Sequence, residues 1–213
     1  MDFDFIFSRL SVLAQLPNKP EAHLLAMPPE RQRWIEQART RKTPARQASV
    51  LCCLYPNEIG AACFALIRRQ ESPHTHGGQY ALPGGKREAN DVSNWATALR
   101  EAEEEVQIPK EQVQFVRSLH SIYIPPSHFD VHPFLGLLKK TPRLQPQWSE
   151  VAAIHTIPVA TLLEPTNLRQ ISMTTSYMKD QLVPAFDLAG HMVWGATAMM
   201  LAELRELLNA LAK

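Results

Sequence analysis

Two adjacent glycines in Leu82–Lys86 (LPGGK) stand a short loop ahead of Ala98–Val106 (ALREAEEEV), where Glu101, Glu103, Glu104 and Glu105 sit almost side by side. A glycine pair lets bare backbone approach its neighbours closely. A run of like charge repels itself unless it is solvated or neutralised. At about 100° per residue, Glu101, Glu104 and Glu105 fall within roughly one third of a helix circumference. Trp95, Leu99, Ala102 and Val106 cluster on a second arc, and Glu103 projects apart from the triad. One arc can therefore pack on a core while the other presents carboxylates.

Three converging carboxylates call for a cation. Hard oxygen donors favour Mg²⁺ or Mn²⁺ over zinc, and no His/Cys set competes here. A carbonyl from the Gly84–Gly85 turn could complete such a site. The competing reading is a solvated acidic face beside Lys86, Arg87 and Arg100.

Along the chain, Asp2–Leu16 reads as a helix with Phe3, Ile6, Phe7, Leu10 and Leu13 on one stripe, and Pro17–Pro20 breaks it. Pro28–Arg41 reads as a second helix, and Thr43–Arg46 as a linker. From Gln47 the pattern changes. Ala48–Tyr55 and Ala61–Arg68 are apolar strands joined by the turn Pro56–Gly60. Glu71–Tyr80 is a polar loop, and Asp91–Val106 is a helix that Asp91 can cap. Strands follow over Val113–Ile124, Phe129–Leu138 and Val151–His155, then a helical turn over Pro158–Leu163. A last strand over His191–Trp194 precedes an amphipathic helix over Gly195–Ala212. This order predicts a mixed sheet between helical layers, an α/β (α+β) sandwich over 47–213, with a helical N-terminal extension over 1–46 appended to it.

The formal net charge of +1 carries no nucleic-acid signature, and no apolar run is long enough to span a bilayer. The N-terminus is acidic and amphipathic, unlike a secretory signal. Cys52, Cys53 and Cys63 lie in apolar strands without metal spacing, and read as buried reduced thiols of a cytoplasmic protein.

The stretch LPGGKREANDVSNWATALREAEEEVQI resembles the signature of the Nudix hydrolases. Gly85 matches its first glycine, and Arg100, Glu101, Glu104, Glu105 and Ile108 stand at the matching later places. The segment between Gly85 and Arg100 is one residue longer than the common form. Asp91 stands nearest the first glutamate position, Glu88 being the other candidate, while Gln107 replaces the last glycine and Ala102 the first aliphatic. The resemblance implies an α/β/α sandwich that hydrolyses nucleoside diphosphates linked to another group. Glu101, Glu104, Glu105 and the Gly84 carbonyl would hold Mg²⁺ or Mn²⁺. Arg100 would orient the glutamates and Lys86 would contact a phosphate. Glu150 lies where a further active-site carboxylate could enter.

The upstream piece ALIRRQESPHTHGGQYALPGG resembles the segment that precedes this motif in coenzyme A pyrophosphatases. Leu66, Arg69, Gly78, Pro83, Gly84 and Gly85 match, whereas Ile67, His74 and Leu82 depart. Val193–Leu201 and Tyr123–Gly136 also look like that subfamily. The implied activity is cleavage of coenzyme A or its derivatives to 3′,5′-ADP and 4′-phosphopantetheine. Arg68, Arg69, His74, His76 and Lys86 are the candidate phosphate contacts. Another nucleoside diphosphate derivative, such as ADP-ribose or a dinucleotide, and a silent nucleotide-binding domain are the alternatives. The implied partner is a small-molecule nucleotide. For residues 1–46, covering a homodimer interface and covering the substrate cleft both stay open. Trp194, Met192, Met199 and Met200 read as core; Tyr123 and Phe129 read equally as strand packing or as the lining of a pantetheine channel.

Overall fold

The computed structural model describes residues 1–38, 40–71, 77–175 and 178–213. The N-terminal section forms α1 (Phe3–Ser8), α2 (Leu10–Gln15), a 3-10 segment over Pro20–Ala26 and α3 (Arg31–Ala38). The single helix expected over Asp2–Leu16 is thus two, broken at Arg9. Asp2 caps the first by accepting from the Phe5 N–H at 3.1 Å.

Eight strands then build one sheet: β1 (Arg46–Pro56), β2 (Ala62–Arg69), β3 (Tyr80–Ala81), β4 (Gly84–Lys86), β5 (Gln114–Ser118), β6 (Ile122–Ile124), β7 (Phe129–Leu137) and β8 (Val151–Pro158). Helix α4 (Asn94–Val106) interrupts them after β4, and α5 (Val159–Leu163) follows β8. β9 (Leu168–Thr175), β10 (Met178–Leu188) and β11 (His191–Trp194) make a second, three-stranded sheet before the terminal helix α6 (Gly195–Leu211). β1 runs parallel to β7 and antiparallel to β2 and β4, so the main sheet is mixed.

Alternation along β1 and β2 explains the layers. Cys52, Leu54, Phe64 and Leu66 face a core shared with α6 and the N-terminal helices. Leu51, Cys53, Tyr55, Cys63, Ala65 and Ile67 face a second core shared with Ala98, Ala102 and Val106 of α4. Both faces are covered, so both strands read as continuous apolar runs. All three cysteines are free and buried, and burial pushes the Cys52 thiol up to about 12.

The 1–46 section packs into this core through Phe3, Ile6 and Leu13. A buried hydrogen bond fastens it further: His23 Nε2 lies 2.9 Å from Glu203 of α6, which also accepts from the Lys19 and His120 N–H groups. Trp34 of α3 packs on the outer face of the three-stranded sheet with Met178, Val183, Ala185 and Trp194. No helix among the described residues is long and apolar enough to cross a membrane.

Candidate active site

Gly84 and Gly85 sit where two elements press on the backbone. Gly84 has φ +152°, and a Cβ there would lie 2.3 Å from the Ser49 carbonyl oxygen of β1. At Gly85 the obstacle is different: a Cβ would lie 2.5 Å from the Glu101 carboxylate carbon. The bare turn thus lets β4 fit between β1 and the carboxylate face of α4.

Helix α4 begins at Ser93, whose Oγ accepts from the Ala96 N–H at 3.0 Å. Asp91, expected as the cap, is diverted. Its two oxygens take Nε and Nη2 of Arg100, each at 3.0 Å, and it also accepts from Thr97 Oγ1 and the Glu88 N–H. The Arg100 hydrogen bonds hold the Asp91 carboxyl well below the usual carboxylate range. Arg100 also reaches Glu104 at 2.9 Å, Glu101 at 3.1 Å and the Lys86 carbonyl at 3.1 Å. One guanidinium therefore ties the glycine turn, the preceding loop and two glutamates together.

Glu105 is only 2% exposed and accepts from the Gly84 N–H at 2.8 Å. Burial raises its pKa to about 7, the Arg69 guanidinium and the Gly84 N–H oppose this, and the charges of Glu101 and Glu150 add to it. Burial also raises Glu101, with Glu104 and Glu150 contributing. Glu104 is the open member, its side chain 57% exposed. Glu103 points elsewhere and pairs with Lys110. The expected triad is thus gathered on one side, joined by Glu150 from the loop before β8.

Arg69 closes the cluster from the other side, donating to the Gly84 carbonyl at 2.8 Å with Glu105 3.7 Å away. Among the described residues no three His, Cys, Asp or Glu side chains are grouped closely enough to hold a metal ion as they stand. The donor set nevertheless fits a hard divalent cation. It is all carboxylate and carbonyl oxygen, and its carboxylates press up one another's pKa values. Ser49, wholly buried and paired in register with Gly85, adds a hydroxyl without a hydrogen-bond partner among the described residues.

The same glycine turn forms part of the wall of a cleft of about 280 Å³. Its charged lining residues are Arg31, Arg69 and Lys86, and among the described lining residues there is no Asp or Glu. Leu82, Phe129, Trp194 and Met200 supply apolar wall. Trp194 is thus both core and cleft lining. Tyr123 does not line the cleft; its hydroxyl meets His128 Nδ1 at 2.8 Å and its carbonyl holds Arg31.

Of the expected phosphate contacts, Arg69 and Lys86 line the cleft. Arg68 does not. Neighbours on a strand point to opposite faces, and Arg68 pairs with Glu71 at 2.8 Å on the surface. His74 and His76 lie outside the described residues. Arg31 and Trp34 line the cleft without having been singled out as site residues. Their helix carries no motif, and only the tertiary fold brings it to the cleft.

A mixed sheet between helical layers, with a glycine turn leading into a carboxylate-bearing helix, is the α/β/α sandwich that the sequence resemblance implied. Residues 45–176 match the NUDIX domain family, and the chain belongs to that family. Nudix hydrolase 15, mitochondrial, of Arabidopsis thaliana is 32% identical over 163 residues, covering 73% of this chain and 56% of that protein. The chain thus spans little more than half the length of that relative. The uncharacterized Nudix hydrolase NudL of Pectobacterium atrosepticum is 32% identical over 163 residues, covering 75% of this chain and 81% of its own. The crystal structure of the Nudix hydrolase RenU from M. smegmatis shares the fold, with a TM-score of 0.53 over 80% of this chain and 90% of that one at 19% identity.

Proposed function

We propose that the protein hydrolyses the pyrophosphate bond of coenzyme A or its derivatives, releasing 3′,5′-ADP and 4′-phosphopantetheine or its acyl form. The observation that carries this reading is the shared wall. The Gly84–Lys86 strand has a glutamate cluster on one side and, on the other, a cleft lined by three cations and apolar side chains. A polyanion with a long, weakly polar arm suits that lining. A pyrophosphate needs the cations, and a pantetheine arm needs the apolar wall.

Glu101, Glu104, Glu105 and the Gly84 carbonyl would hold Mg²⁺ or Mn²⁺, which supplies positive charge to the pyrophosphate oxygens and acidity to water. The chain's own residues do the rest. Arg100 fixes Glu101 and Glu104 through the contacts above, anchored by Asp91. Gly85 leaves room for the Glu101 carboxylate. Lys86 and Arg69 neutralise phosphate oxygens entering from the cleft. Water attacks one phosphorus, the bridging P–O bond breaks toward the other, and the proton lost by water passes to a carboxylate of the cluster.

The test is incubation of the purified protein with coenzyme A and Mg²⁺ or Mn²⁺, then with EDTA, reading products by mass. Metal-dependent 3′,5′-ADP and phosphopantetheine support the assignment. Cleavage of ADP-ribose or a dinucleotide in the same panel, with coenzyme A untouched, keeps the chemistry and discards the substrate.

A further inference from the structure

Arg31 stands apart from the other cleft cations. It belongs to α3, outside residues 45–176 that match the family. Arg69 and Lys86 both stand at the glycine turn, Arg69 donating to the Gly84 carbonyl with Glu105 3.7 Å away. Arg31 is held at the Tyr123–Phe129 turn instead, where its Nη2 donates to the Tyr123 carbonyl at 2.6 Å. That neutral oxygen is its side-chain hydrogen-bond partner among the described residues, and no carboxylate there forms an ion pair with it.

A guanidinium in this position is costly. It is half-buried, and desolvation pulls its pKa below the ordinary value with no opposing carboxylate. It stays charged at any physiological pH, so the cost is offset only by an anion that arrives with a ligand. Nε, Nη1 and the second hydrogen of Nη2 remain as donors in one plane, where Nη2 with either neighbour can meet two oxygens of a phosphate group. The pyrophosphate has its own cations at the glycine turn. The anion for Arg31 is therefore a different group of the same ligand.

We propose that Arg31 forms a subsite for a phosphate monoester carried by the substrate away from the scissile pyrophosphate. This rests on the pyrophosphatase reading, and it gives the N-terminal section a part in substrate choice. Substrates with a remote phosphate are favoured over analogues lacking it.

The subsite is tested by binding and by kinetics on the full chain. Calorimetry compares adenosine 3′,5′-bisphosphate with adenosine 5′-monophosphate for the wild type, Arg31→Gln and Arg31→Lys. The wild type should prefer the bisphosphate by about tenfold or more, Arg31→Gln should erase that preference, and Arg31→Lys should restore part of it. In turnover, Arg31→Gln should lower the ratio of kcat/KM for coenzyme A over dephospho-coenzyme A by a similar factor, through KM. A preference that survives in Arg31→Gln, or is absent from the wild type, overturns the subsite. If the preference is lost in Arg31→Gln while the wild type cleaves no pyrophosphate, the subsite stands and the hydrolytic reading falls.

Discussion

Arg100 grips Asp91 with two parallel hydrogen bonds, Nε to Oδ1 and Nη2 to Oδ2, each 3.0 Å long. The pair lets one arginine hold Glu101 and Glu104 in fixed places. Asp91→Asn keeps the size but removes the charge, and its amide nitrogen cannot accept one of the two Arg100 bonds. Stability should fall by about 1–3 kcal/mol, and activity by at least about tenfold. The sign with pH follows from the lowered Asp91 pKa. Its stabilisation is present above the unfolded value near pH 4 and is lost as pH falls through the folded one. Urea midpoints at pH 7 and pH 3 should therefore separate the two proteins most at the first and less at the second, without bringing them together.

Gly84 and Gly85 should fail in different ways. A Cβ at Gly84 meets backbone, the Ser49 oxygen and Val50 Cα, at a φ that side chains rarely adopt. Gly84→Ala should cost at least about 2 kcal/mol in stability. A Cβ at Gly85 meets only the carboxylate end of the Glu101 side chain, not backbone. Gly85→Ala should stay within about 1 kcal/mol of wild type yet lose on the order of a hundredfold in kcat, because Glu101 is displaced. Thermal melts beside turnover assays separate the two failures; equal melts for both variants would contradict the account.

Glu105 carries the clearest pH signal of the cluster. Its folded pKa of about 7 lies above the usual 4.5, chiefly through burial. The folded state therefore holds this proton more tightly, and stability declines as pH rises from about 4.5 to 7. Glu105→Gln removes the decline. In metal-free buffer at pH 8 it should be more stable than wild type by up to about 3 kcal/mol, while turnover is abolished. A divalent cation competes with the same proton, so the rise in wild-type Tm on adding Mg²⁺ should grow between pH 6 and pH 8. A Mg²⁺ effect that shrinks with pH would remove Glu105 from the ligand set.

The central layers were legible because β1 and β2 are buried on both faces and α4 separates its apolar and acidic arcs. The hairpin β9–β10 was not, because its strands mix outward polar residues such as Lys179 and Gln181 with an exposed Leu182 and an internal Pro184. Asp91 resembled a helix cap in isolation, since nothing local announces that Arg100 takes both its oxygens. Arg31 depends wholly on tertiary placement: Trp34 packed on the three-stranded sheet and the Arg31 bond to the Tyr123 carbonyl bring α3 to the cleft.

Gln107 was legible as a departure from the motif's glycine, and the backbone there keeps the glycine geometry. It ends α4 with φ 57° and ψ 35°, its N–H bonded to the Glu103 carbonyl at 2.9 Å. A side chain in that left-handed region costs roughly 1–2 kcal/mol. Gln107→Gly should recover about 1 kcal/mol, seen as a higher urea midpoint at unchanged slope. No gain would mean that the Gln107 side chain offsets its own backbone cost.

Glu203 links the fold to the proposed choice of substrate. It is fully buried on α6, where burial pushes its pKa up but hydrogen bonds from His23 and from the His120 and Lys19 N–H groups bring it below the ordinary value. Glu203→Ala strands those three donors and should cost about 3–5 kcal/mol. The damage should be concentrated at the join with the N-terminal section, which the glutamate fastens at Lys19 and His23, a few residues before Arg31. Limited proteolysis should then quicken between Pro17 and Arg46, and KM for a substrate with a remote phosphate should rise with kcat little changed. A uniform loss of stability, with neither faster N-terminal cleavage nor a higher KM, would detach the buried His23–Glu203 hydrogen bond from the cleft and leave it a fold element alone.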